Sequence, residues 1–262
     1  MYGYGSGAFV FVFAKDAVLP DFLLQWANYL YCTFFGTSMA LFAIHFIYRH
    51  LAITGSNFVK NHNGKVITSL MLSSIAFGFC WYLLVCFTLG PFEEGDVFVR
   101  KYYLVDHDVQ LSDIYYVAYY FYVEDAFGNE RVNWKCVFGC SIQTMFIYVS
   151  FGIIFYFGYK CYCHIKTVST HSTTSKSTVD LQNQLFYALV FQTIIPVFLM
   201  HLPSSTGILV TFFNFSFEVY SNILACAISL YPALDPLPNF FIIKSYRGAI
   251  LGNKVTLPTA LK

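Results

Sequence analysis

Charge is what this 262-residue sequence has least of. Lys, Arg, Asp and Glu together make 11% of it, against about 25% in an ordinary soluble domain. With 57% hydrophobic residues and 21% aromatics, a polar skin cannot be assembled, so a soluble domain is excluded. The same apolar excess excludes a disordered chain. The balance of 15 basic and 14 acidic residues, net +1, offers no polyelectrolyte attraction, and nucleic acid is not an expected partner. Catalytic motifs are missing too. There is no HExxH, no phosphate-binding glycine loop and no paired carboxylates in the apolar stretches. The chain is therefore not read as an enzyme, and no cofactor or metal is expected. The start has no basic segment and its first apolar run, Ala8 to Ala14, is short, so no signal peptide is expected.

What is present is apolar length. Residues 22–48, 66–92, 136–159 and 181–217 carry no Lys, Arg, Asp or Glu, and 219–243 carries only Asp235. About 20 helical residues cross a 30 Å hydrocarbon core, and a lipid-exposed backbone must satisfy its own hydrogen bonds. The expectation is an all-α membrane protein with five spans near 22–48, 66–90, 136–159, 184–209 and 219–243. A membrane β-barrel would show segments of about 10 residues alternating in polarity, which this chain lacks. Ile114 to Val123, rich in Tyr, is too short to span and is read as a packed or interfacial loop element.

Charge asymmetry orients these spans. The first loop holds Arg49, Lys60 and Lys65 without an acid. The third holds Lys160, Lys166 and Lys176 against Asp180, and the tail, 244–262, holds Lys244, Arg247, Lys254 and Lys262. These face the cytoplasm by the positive-inside rule. The loop 91–135, with nine acidic residues and four basic ones, faces outside, as does the N-terminus. Within the 160–181 loop, TVSTHSTTSKST (167–178) reads as a flexible, Ser/Thr-rich solvated linker open to phosphorylation.

Three segments stand out. HFIYRHLAI ends the first span, where Arg49 is either a positive-inside anchor or an arginine that locks the inner ends of helices. LQNQLFYALVFQTIIPVFLMHLP opens the fourth, with Pro196 and Pro203 forcing kinks. SLYPALDPLPNFFIIKSYR ends the fifth and contains Pro232, Asp235, Pro236 and Pro238. An intramembrane carboxylate is a functional candidate by default, although it could equally fix packing.

In order and spacing these segments resemble the third, sixth and seventh helices of nematode chemosensory receptors of the Str superfamily, seven-span serpentine receptors coupled to G proteins. The Str and Srj classes are the most similar, over roughly residues 10–252. The five spans then correspond to helices three to seven, with the first two absent. His50 stands where an aromatic residue commonly follows the arginine in that family. The resemblance implies a receptor for a small, often volatile, odorant that activates a heterotrimeric G protein. It places the chain in the plasma membrane, the lipid bilayer being its first partner, at the cilia of sensory neurons. It further implies that Tyr48, Arg49 and His50 lie at the G-protein side. Asp235 and Pro236 would belong to the switch, and Lys244, Tyr246 and Arg247 would begin the juxtamembrane tail.

Polar or amphipathic residues in the outer halves of the spans are the candidate ligand contacts: Asn28, Tyr29, Trp81, Gln143, His201 and Asn222. Each could instead be a helix–helix contact. Cys161 and Cys163 are candidate palmitoylation sites, although unmodified cysteines are the simpler expectation. Asn214 begins a glycosylation sequon close to the membrane. A disulfide between Cys32 and Cys136 is doubtful on reach. Asp106, His107 and Asp108 are a weak metal candidate. Two rivals remain: a five-span transporter or channel, for which no internal repeat is visible, and a truncated, non-signalling receptor fragment.

Overall fold

The computed structural model describes residues 2–4, 7–15, 17–55, 57–104, 110–124, 129–171, 175–215 and 218–251. Asp106, His107 and Asp108 lie outside the described residues, as do Ser216 of the sequon and most of the tail.

Long helices dominate. They are α1 (Asp21–Ile53), α2 (Asn57–Leu89), α4 (Trp134–His171) and α5 (Lys176–Pro196). α5 runs through a π-helical turn, Val197–His201, into α6 (Leu202–Phe212). α7 (Glu218–Leu234) and α8 (Leu237–Ile242) follow, broken at Asp235–Pro236, and α9 (Lys244–Ile250) turns away. Between α2 and α4 lies α3 (Glu93–Tyr102). Among the described residues four helices are long and apolar enough to cross a bilayer, and a fifth if the bent pair 222–242 and 244–250, inclined at 99°, counts as one span. Phe34, Ile75, Tyr148 and Phe155 are about 70% exposed on the helix surfaces. Uncovered apolar surface on helices of this length marks a membrane-facing or partner-facing surface.

The all-α expectation is corrected at one end. β1 (Tyr2–Tyr4), β2 (Gly7–Phe13) and β3 (Ile114–Tyr120) form an antiparallel sheet in the order β1-β2-β3. β4 (Tyr122–Glu124) and β5 (Glu130–Val132) form a second pair. The two short apolar runs that could not span are thus strands, with Val10 opposite Val117. Their period of two explains why. Phe9, Tyr116, Ala118 and Tyr120 pack with Phe98 and Val99 of α3, while Val117 packs with Trp81, Val85 and Leu89 of the bundle. Each strand face has its own apolar layer, which aromatic and β-branched residues fill well.

Side chains bolt this sheet to the helices. Gln25 Nε2 donates to the Tyr116 carbonyl (3.0 Å) and Asn28 Nδ2 to the Val10 carbonyl (2.9 Å). Asn133 Nδ2 donates to the Tyr120 carbonyl (3.1 Å). The Tyr116 hydroxyl donates to Asp96 on α3 (2.7 Å). Its pKa is raised, first by burial and then by that carboxylate.

One further difference concerns helix ends, and the cysteines bear on the pairing and acylation candidates. Helix α4 continues to His171 and α5 starts at Lys176, capped by the Ser175 hydroxyl accepting from Thr178 N–H, so most of the 167–178 stretch is helical. The eight cysteines are free. Cys161 is fully buried among Met39, Phe42 and Phe46, which removes it as an acylation site in this conformation, while Cys163 is half-buried.

Candidate functional site

The inner face of α1 organises the site. Asn28, Cys32, Phe35, Met39, Phe42, Phe46 and Arg49 recur at intervals of three and four, a single helix face. From Asn28 to Arg49 that face is roughly 32 Å long at 1.5 Å per residue. The sheet lies at the Asn28 end and α9 near the other.

Near the sheet end the face is lined by buried polar groups that are only half satisfied. Asn28, Gln143 and His201 are 1%, 3% and 3% exposed. Gln143 Oε1 accepts from the Tyr119 hydroxyl at 2.8 Å, while Gln143 Nε2, Asn28 Oδ1 and Gln25 Oε1 have no protein partner. Deeper along α1, Ser38 Oγ lies 3.1 Å from His201 Nε2 and the Phe35 ring 4.9 Å from the imidazole. His201 Nδ1 is buried without a partner. A buried donor or acceptor left unpaired forgoes about 1–3 kcal/mol. The line therefore favours a guest that supplies both an acceptor and a donor. No Asp, Glu, Lys or Arg occurs in spans 22–48, 136–159 or 184–209, so such a guest meets no counter-charge there.

The other candidates scatter. Trp81 is buried, packed on Phe77 and Phe146 and pressed into Gly36, whose missing Cβ would stand 2.0 Å from the indole Cε2. It fills the α1–α2 seam. Tyr29 is half-buried and stacks edgewise on Trp26 and Tyr82. Asn222 is exposed on α7 and is not brought to the line. The sequence reading missed Ser38, Gln25 and Tyr119. Ser38 gains its place only through His201, and Tyr119 required knowing that its segment is a strand.

At the opposite end Arg49 Nη2 donates to the Gln182 carbonyl on α5 at 2.8 Å, with its Nε buried and unpartnered. Tyr48 reaches Asn63 at 3.5 Å, and the His50 ring lies 5.5 Å from Phe157. His50 thus packs against an aromatic ring. Two residues either side of Gln182, α5 is held again. Lys244 Nζ pairs with Asp180, and Lys244 N–H donates to Gln184 Oε1 at 2.8 Å. The Lys244 hydrogen bond holds the exposed Asp180 carboxyl below its ordinary range. Asp235 Oδ1 is buried without a partner at the α7–α8 break, and Pro236 begins α8. Tyr246 and Arg247 are exposed on α9. Asn214 takes a left-handed φ of 59° and ends α6, a conformation Asn tolerates. Among the described residues no group of three or more His, Cys, Asp or Glu could hold a metal ion.

The long apolar helices thus carry a line of buried polar groups at one end and an arginine clamp at the other. Residues 1–251 match the model of the serpentine-type seven-transmembrane GPCR chemoreceptor Str family, and the chain belongs to that family. It is 32% identical over 224 residues to the G-protein coupled receptor str-217 of Caenorhabditis elegans, covering 85% of this chain and 64% of that protein. It is 29% identical over 222 residues to serpentine receptor class r-10 of the same organism, covering 84% and 64%. To serpentine receptor class J-38 it is 23% identical over 236 residues, covering 88% and 68%. The chain thus spans about 64% of the length of the first two relatives. No solved structure matches it. The family is a receptor class and not an enzyme class.

Proposed function

We propose that the chain is a chemosensory receptor that takes a small uncharged molecule against the polar line of α1 and signals through a heterotrimeric G protein at its Arg49 end. The charge pattern supports placing the sheet end outside and the Arg49 end in the cytoplasm, in the plasma membrane of a sensory neuron. One observation carries the reading. His201, which offers an unpartnered nitrogen to a guest, lies in the π-helical turn behind Pro196. The far end of the same span carries Gln182, the carbonyl that Arg49 holds.

Proline and a π turn are where a helix bends. A guest that bonds His201 and displaces Ser38 changes that bend, and some 19 residues away, roughly 28 Å along the helix, the end of α5 moves. Arg49 and Lys244 then release it, and Tyr48, Arg49 and His50 become available to the G protein, with Asp235 and Pro236 letting α8 and α9 follow. Moving a two-state equilibrium from 1:99 to 99:1 takes about 5.5 kcal/mol of differential binding. Two or three neutral hydrogen bonds at about 1 kcal/mol each, plus apolar burial at roughly 25 cal/mol per Å², reach that size when they are made in the signalling state alone.

The test is ligand-evoked G-protein activation in cells expressing the receptor, screened with uncharged volatile compounds. His201→Phe should abolish the response at unchanged surface expression, and Ser38→Ala should shift its midpoint. A His201→Phe receptor that answers like the wild type would refute the reading.

A further inference from the structure

A cavity lies at the sheet end, outside the helix interior. A cavity of about 280 Å³ opens where α2 ends, α4 begins and the β4–β5 pair folds over. Phe92, Val132 and Trp134 supply an apolar wall, and Arg131, Lys135 and Glu94 supply the charges. Residues 91–135 are acidic as a whole, nine acids to four bases. Yet two of those four bases, and one of the nine acids, line this cavity. The local sign is therefore opposite to that of the loop around it.

The pairing inside the cavity leaves a cation available. Arg131 Nη2 donates to Glu94 Oε1 at 2.8 Å, with both side chains partly exposed. Such a pair is held weakly. Lys135 makes no ion pair among the described residues. A carboxylate or phosphate entering here meets the Lys135 ammonium directly. It can also share the Arg131 fork with Glu94, as guanidinium donors readily do. The volume lies at the small end of ligand sites and suits a short apolar body beside the anionic head.

We propose that this cavity binds a small anionic amphiphile, its head on Lys135 and Arg131 and its apolar part against Trp134 and Phe92. The site does not depend on the polar line of α1, which carries no charge to hold an anion. It has a path to the bundle, because its lining residue Thr88 is also the group pressed against Gly139 of α4, whose missing Cβ would stand 2.2 Å from the Thr88 hydroxyl oxygen.

The experiment uses the purified chain in phosphatidylcholine nanodiscs, titrated with hexanoate and, separately, with hexanamide, and read by saturation-transfer NMR. Hexanoate should bind saturably and hexanamide at least about tenfold more weakly, since the charged head supplies the stronger hydrogen bonds. Lys135→Gln should weaken hexanoate about tenfold, whereas Lys135→Arg keeps it within about threefold. The paired change Arg131→Gln with Glu94→Gln removes both partners together and should also weaken it. Repeating the titration in phosphatidylglycerol nanodiscs separates the sources. Lost hexanoate binding there assigns the site to a lipid headgroup, and retained binding assigns it to a free amphiphile, both within the proposal. Equal binding of hexanoate and hexanamide, or a normally folded Lys135→Gln chain that binds hexanoate like the wild type, would overturn it.

Discussion

Arg49 on α1 and Gln182 on α5, separated by 133 positions in sequence, are joined by a 2.8 Å hydrogen bond from the guanidinium Nη2 to a backbone carbonyl. The acceptor is main chain, so no substitution at Gln182 removes it. The contact reports where the α5 backbone is, and it breaks only if that backbone moves or the arginine is replaced. Arg49→Gln is expected to lose this charge-assisted bond. Arg49→Lys, with one point donor instead of a fork, should restore it only in part.

The α1–α2 seam has no room to spare. A Cβ on Gly36 would stand 2.0 to 2.5 Å from three atoms of the Trp81 indole. Gly36→Ala should destabilise the chain by about 1–3 kcal/mol through overpacking, read as a lowered thermal midpoint in detergent. Combining it with Trp81→Leu should recover part of the loss.

Tyr119 and Gln143 couple the sheet to α4 through one part-buried bond. Tyr119→Phe leaves Gln143 Oε1 without its donor and should reduce stability by about 1–3 kcal/mol. Adding Gln143→Leu, which removes both partners, should cost less than the sum of the single changes. A double-mutant cycle measured by thermal unfolding checks this.

Much of this architecture is legible in the sequence. Charge-free lengths near 30 residues leave a helix few alternatives in lipid, and Pro196 with Pro203 marked a bent span. Asp235 stood out because a carboxylate inside a span is rare, and Arg49 because it sits within the motif HFIYRHLAI at the end of its span. The sheet was not legible. Ala8–Ala14 and Ile114–Val123 are apolar on both strand faces, since one meets α3 and the other the bundle. The alternation that announces a half-exposed strand is therefore missing. The π-helical turn was equally hidden, because Val197–His201 has the composition of any apolar helix. Ser38 acquires meaning only from His201, 163 positions away.

The second hold on α5 depends on pH in a definite direction. The Asp180 carboxyl is pulled below its ordinary value of 3.8, chiefly by the Lys244 hydrogen bond and against the opposing effect of desolvation. A lowered carboxylate pKa contributes stability above the unfolded value and loses it as pH falls through the folded one. The Asp180–Lys244 contact should accordingly be constant from pH 5 to 8 and weaken only below pH 3.8. Hydrogen exchange of the Lys244–Ile250 amides should show this. Asp180→Asn should speed that exchange slightly at pH 7, and added salt should shrink the difference.

Straightening the bend should disable the receptor without unfolding it. Pro196→Ala returns a backbone donor to the span and should favour a continuous helix over the π-helical turn. Ligand-evoked G-protein activation is expected to fall at least about tenfold, a loss of some 1.4 kcal/mol in the bias between states, with surface expression retained.

Arg49 holds the Gln182 end of α5 against α1, and spin-label distances between Ala52 on α1 and Leu181 on α5 measure that directly. In the unliganded wild type the account predicts a single short population. In Arg49→Gln it predicts a second, longer population, with Arg49→Lys between the two. Identical distance distributions in the wild type and Arg49→Gln would contradict it.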